Sequence, residues 1–179
     1  MDEYLNSAIK RFQYYKTLGE QTFDQLDDQG LFWQYNSESN SIAMIVQHLS
    51  GNMISRWTDF LTSDGEKSWR NRDIEFETAV KSRAGLMQIW NDGWECLFKA
   101  LRSISNDDWQ KEVYIRGEKH IVVDAINRQL SHYPYHIGQI VFIGKMIAGE
   151  KWNSLSIPRG QSETFNAERV AKNTGKANL

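Results

Sequence analysis

Cysteine is nearly absent: Cys96 is the only one in 179 residues, so neither an internal disulfide nor a cysteine-built zinc site is available. Its setting between Trp94 and Leu97 on an amphipathic stretch suits an inert buried thiol better than a nucleophile. Proline is almost as scarce, with two residues at 134 and 158, which leaves room for long uninterrupted helices. Neither sign of charge dominates. The net charge is −2 and the isoelectric point about 6.1, so the chain lacks the basic footprint of a nucleic-acid binder. The mixed runs Glu66-Lys67 and Arg70-Asn71-Arg72-Asp73 read as a solvated loop. A membrane span needs about 20 consecutive apolar residues. The most apolar stretch, 137–148, is broken by Gly138, Gln139, Gly144 and Lys145. The opening MDEYLNSAIKRF has neither the basic start nor the apolar run of a signal peptide. These absences lead us to expect a cytoplasmic protein without membrane or nucleic-acid partners.

Apolar side chains are plentiful: 40% of residues are hydrophobic and 12% aromatic, including seven Trp. That is enough for one sizeable core, so a single domain over 1–179 is expected, its tail after about 160 partly extended. Four stripes follow the helical period. The first, about 3–26, carries Leu5, Ala8, Ile9, Phe12, Tyr15, Leu18, Phe23 and Leu26. The second, about 41–61, runs from Ile42 through Leu49 and Trp57, with Asn40 or Ser41 to cap it. The third, about 79–104, carries Trp90, Trp94, Leu97 and Leu101, with Thr78 as its cap. The fourth, about 122–148, stops at Gly149. Residues 27–40 read as a loop, and the long connection 62–78 means that the second and third helices need not be neighbours. Between the third and fourth, Val113-Tyr-Ile and His120-Ile-Val flank Gly117 and predict a small hairpin near 113–121. The fold class expected is all-α, a four-helix bundle with one β-hairpin.

The chemistry-bearing signal is Ser131-His132-Tyr133-Pro134-Tyr135-His136-Ile137-Gly138-Gln139. Two His four residues apart on a helix share a face one turn apart, so both imidazoles can reach one ion. By angle they fall at the edge of the arc carrying Ile126, Tyr133, Ile140 and Ile143. Catalytic zinc sites use three protein ligands and leave a fourth position open. No acidic residue lies between the pair, so a third ligand has to cross from another helix, and His48 on the second stripe is the candidate. His120, in the hairpin, reads as a surface or packing residue. Spacing alone equally accommodates two hydrogen-bonded core histidines. Pro134 removes an amide donor opposite Leu130 and either bends the helix to aim the rings or is a tolerated kink.

Val46-Gln47-His48-Leu49, followed far downstream by His132-x-x-x-His136-x-Gly138-Gln139, resembles the DinB-like (YfiT-like) family of four-helix metalloenzymes. The likeness extends to HLSGNMISRWTDFLTSDGEK, WRNRDIEF, HYPYHIGQIVFIGKMI and IPRGQSETFN, and so covers nearly the whole chain. It implies one divalent ion, zinc or nickel, on His48, His132 and His136. It further implies transfer or isomerisation chemistry with a low-molecular-weight thiol and a small-molecule substrate. The Tyr-Pro-Tyr between the paired His departs from the family's usual form.

An ion with an open position can activate a bound thiol or a water, giving a transferase or a hydrolase. No strong general base flanks the pair, which favours the thiol. Around the site, Asn52 can orient a ligand, Gln139 can bond a water, and Arg56 or Arg159 can hold a substrate carboxylate. For Arg56 the preferred reading is an ion pair with a loop acid such as Asp73. Tyr133 and Tyr135 read as packing groups. A rival class is a non-catalytic bundle that binds a metal or small ligand. The aromatic residues Trp33, Trp69 and Trp152, expected to be exposed, point to a homodimer.

Overall fold

In the computed structural model, which describes residues 2–77 and 80–174, the chain is mostly helical. Its helices are α1 (Asp2–Phe23), α2 (Asp28–Phe32), α3 (Ile42–Trp57), α4 (Arg83–Ser103), α5 (Val122–Ala148) and α6 (Ser162–Thr174). One antiparallel hairpin, β1 (Glu112–Ile115) with β2 (Glu118–Ile121), precedes α5. Among the described residues no helix is long and apolar enough to cross a membrane.

The four apolar stripes correspond to α1, α3, α4 and α5, with ends set by local chemistry. α1 stops at Phe23, three residues short of Leu26, and Asp27 then caps α2 by accepting from Gly30 N–H at 2.8 Å. A short helix thus occupies part of the segment whose composition suggested a loop. Ser41 caps α3, accepting from Met44 N–H at 3.2 Å. That helix ends at Trp57 and not near 61, because Thr58 is extended and Asp59 takes a positive φ of 50°. Thr78 and Ala79, the anticipated cap and first residue of the third stripe, lie outside the described residues. Ser82 is the cap of α4, accepting from Gly85 N–H. α5 continues through Pro134 for 27 residues and ends at Gly149, whose φ is 55°. The polar tail, expected to be partly extended after about 160, is helical over Ser162–Thr174 as α6, with Phe165 its only half-buried described residue. Arg169, one turn on, lies over the Phe165 ring.

α3 packs along α4 and α5 along α1, while α3 also meets α5. The long 58–82 connection therefore joins neighbours after all. Close approach explains it: a Cβ on Gly93 would lie 2.9 Å from the Ser50 backbone, and Ser50 Oγ donates to Ile89 O at 2.7 Å. Phe12, Trp90, Trp94 and Tyr133 are fully buried at the centre and meet mostly edge-on. Trp33 and Trp69 are exposed, as anticipated, but Trp152 is half-buried.

The 58–82 connection is fastened to the hairpin. Arg116 and Gly117 both have positive φ, 57° and 73°, as a two-residue hairpin turn requires. Their N–H groups both donate to Asp64, at 2.8 and 2.7 Å, and Gly65 N–H donates to Tyr114 O at 2.8 Å. Burial alone raises the Asp64 pKa, but these N–H groups and that of Glu66 outweigh it and hold the carboxylate below its ordinary value.

Candidate metal site

His48 on α3 and His132 and His136 on α5 come together. The Nε2 atoms of His48 and His132 lie 3.5 Å apart, and those of His132 and His136 lie 3.1 Å apart. Tetrahedral nitrogen ligands about 2.0–2.1 Å from a zinc ion sit roughly 3.3–3.4 Å from one another. The three rings are mutually inclined by 64° to 85°, which avoids stacking and lets the edges converge.

Every Nδ1 has an oxygen partner. His48 Nδ1 pairs with Glu75 Oε2 at 2.9 Å, His132 Nδ1 with Gln129 Oε1 at 3.3 Å, and His136 Nδ1 with Gln139 Oε1 at 2.8 Å. An oxygen at Nδ1 accepts its proton, which assigns the proton to that nitrogen and leaves the Nε2 lone pairs free. Orienting partners of this kind are what metal-ligating His residues ordinarily have. The cluster could therefore hold a metal ion.

Burial and neighbouring charge disfavour the protonated forms of His132 and His136. Burial, then the neighbouring His136 and His48, push His132 down to about 3, with Arg56 and Arg128 adding to the effect. Burial likewise lowers His136, partly offset by its bond to Gln139. Two lone pairs facing each other at 3.1 Å gain nothing without a proton or a cation between them.

The His48 partner is built with particular care. Glu75, in a 3-10 turn at Ile74–Phe76, is 7% exposed and also receives Arg70 Nε at 2.7 Å and Nη2 at 2.9 Å. Burial raises its pKa, yet the bonds from His48 and Arg70 prevail and hold it below the ordinary carboxylate value. Gly51 makes the space: a Cβ there would sit 2.3 Å from Glu75 Oε1. Phe76 stacks on the His48 ring at 4.9 Å, and Gln47 Nε2 clamps the carbonyls of Ile74, Glu75 and Glu77. The loop is thus locked to the very helix that carries His48.

His48 and His132 line a cleft of about 450 Å³, together with Asn52, Arg56, Gln129 and Tyr135. Asn52 accepts from Tyr133 OH at 3.1 Å, and Tyr133 in turn accepts from Trp57 Nε1 at 3.0 Å. Tyr133 is a buried packing group, whereas Tyr135 is 63% exposed. Arg56 is 4% exposed and donates to Gly65 O at 2.6 Å; its acid is Glu66 at 3.5 Å, not Asp73. Gln139, anticipated as a water ligand, holds His136 instead. Arg159 is exposed and is not among the cleft residues. His120 is taken up by Asp124 at 2.6 Å and Glu118 at 3.6 Å, apart from the cluster. Cys96 is half-buried beside Thr58, and burial raises its thiol pKa.

Sequence reasoning missed Gln129, Glu75 and Arg70. Gln129 had a signal: it precedes His132 by three, just as Gln139 follows His136 by three, which places each amide on its imidazole's face. Glu75 and Arg70 had none, because a loop brings them back to α3, Glu75 from 27 residues beyond His48.

Neither the curated proteins nor the solved structures give a match. A family model described as "Protein of unknown function (DUF1572)" matches residues 1–161, which takes in all three clustered histidines, Glu75 and both glutamines. The chain belongs to that family.

Proposed function

We propose that the chain is a divalent-metal-dependent enzyme of the DinB-like type, with one ion on His48, His132 and His136, most simply zinc or nickel. The observation that carries the reading is the convergence of three imidazoles, each ring fixed by an oxygen on its Nδ1, beside a cleft that His48 and His132 line. In this reading α1, α3, α4 and α5 form the four-helix bundle of that type, as one domain. The reading further includes a cytoplasmic location, and a homodimer assembled through exposed aromatic side chains such as Tyr35 and Phe142.

An ion so held would supply Lewis-acid chemistry, lowering the pKa of a small thiol so that thiolate is available at neutral pH. The chain's own groups do the rest. Glu75, Gln129 and Gln139 hold the rings in one tautomer and aim them. Phe76 stacks on the His48 ring and Tyr135 meets the His136 ring edge-on. None of the nearby groups is placed as a general base: Glu75 is tied to Arg70, and burial raises Tyr133. That favours thiol-dependent S-transfer over a hydrolase, because coordination alone suffices to deprotonate a thiol. A small thiol added to the cobalt-substituted protein should produce a sulfur-to-metal charge-transfer band that the triple His→Ala variant lacks. An unchanged spectrum in the wild-type protein at full cobalt loading would overturn the thiol mechanism.

A further inference from the structure

The cleft beside the histidines is lined by four arginines, Arg56, Arg72, Arg116 and Arg128, and, among the described residues, by no acidic one. The excess is local, because the chain as a whole carries a net charge of −2. Glu66 serves two of the four, reaching Arg56 at 3.5 Å and Arg116 at 3.1 Å. Arg72 and Arg128 have no acidic partner among the described residues. Both are nonetheless held in place by the fold. Arg72 lies in the loop that Arg70, Glu75 and Gln47 lock to α3. Arg128 precedes His132 by one turn of α5, so it stands on the same face as that ring.

Imidazole ligands contribute no negative charge, so a divalent ion would add two positive charges to this wall. A concave wall of one sign concentrates counter-charge from solution, and guanidinium is the donor best matched to carboxylate and phosphate. We infer that the cleft is an anion subsite. On this inference Arg72 and Arg128 bind a carboxylate or phosphate group of the small-molecule substrate, at a point remote from its reacting atom. Arg56, already given to Gly65 O and Glu66, shapes the field but is not the binding group. The inference deepens the three-histidine reading and rests on it for the identity of the reacting centre. The charge argument itself depends only on the arginines.

The test compares 3-mercaptopropionate with 3-mercaptopropan-1-ol, thiols of the same length that differ in charge, on the cobalt-substituted protein. The charge-transfer band reports the affinity of each. The carboxylate thiol should bind at least about tenfold more tightly, the scale of one charge-assisted hydrogen bond. R72Q/R128Q should bring that ratio close to one while the unfolding midpoint stays at its wild-type value, and R72K/R128K should keep part of it. Equal affinities, or a preference unchanged in R72Q/R128Q, would overturn the inference. If neither thiol gives a band, the thiol reading fails, and calorimetry with succinate and with inorganic phosphate decides the anion subsite alone. Heat of binding that R72Q/R128Q abolishes supports it and tells carboxylate from phosphate; no binding of either overturns it.

Discussion

Replacing Glu75 by glutamine probes a buried partner of the site, 7% exposed. The carboxylate accepts three hydrogen bonds, one from His48 Nδ1 at 2.9 Å and two from Arg70 at 2.7 and 2.9 Å. Glutamine offers one carbonyl oxygen in place of two, so an amide N–H must face an N–H of His48 or of Arg70. Loss of an orienting partner typically weakens a metal site by about 10- to 100-fold, or about 1.4–2.8 kcal/mol. Stability should suffer separately. The Arg70 side chain is 1% exposed and its next acid, Glu66, is 3.9 Å away. Breaking a buried pair costs about 3–5 kcal/mol, and Glu66 should hold the loss toward the lower end. The two effects part in E75Q/R70M, which removes the unpaired charge: stability should recover while metal affinity stays low. Chelator competition reads the first quantity and denaturant unfolding of the metal-free protein the second. Wild-type metal affinity in folded E75Q would refute the claim that Glu75 aims His48.

Gly51→Ala should reproduce the metal-affinity loss of E75Q without altering any ligand, because its methyl group would occupy the Glu75 Oε1 position; chelator competition checks this. His48→Ala should lower metal affinity sharply but leave cooperative unfolding intact, since the core lies in the apolar faces of the helices, and His120→Ala should leave metal content unchanged. Metal-free protein should lose stability as pH falls below 6.5, because folded His132 resists protonation down to about 3 while the unfolded chain takes up protons near 6.5. That contribution is fully present above pH 6.5 and is lost toward pH 3, and Glu75 adds a loss as pH falls through its depressed value. Unfolding midpoints between pH 7.5 and 5 measure it, H132A should flatten the profile, and a midpoint that rises on acidification would contradict the sign. Sedimentation at high concentration should give a dimer, and a monomer of about 20.9 kDa would refute that assignment.

The helices were legible where one apolar period ran uninterrupted, as from Val122 to Ala148, and where a hydroxyl stood at the start, as at Ser41. Their ends were less so. Asp27 caps a five-residue helix that composition could not separate from loop, and Thr58 stops α3 while apolar residues continue. The histidine pair was visible because helical spacing fixes relative direction. Glu75 was invisible because its position depends on a loop folding back, through Arg70, Gln47 and the absent Cβ of Gly51, onto a helix that precedes it. Arg72 read as part of a solvated charge run, and only the fold puts it beside His132.

The central claim is that three histidines hold one ion, and elemental analysis tests it most directly. Wild-type protein and H48A/H132A/H136A, purified side by side from metal-supplemented cultures, should differ by one divalent ion per chain, present in the first and absent from the second. Equal metal content in the two, with both folded, would contradict the account.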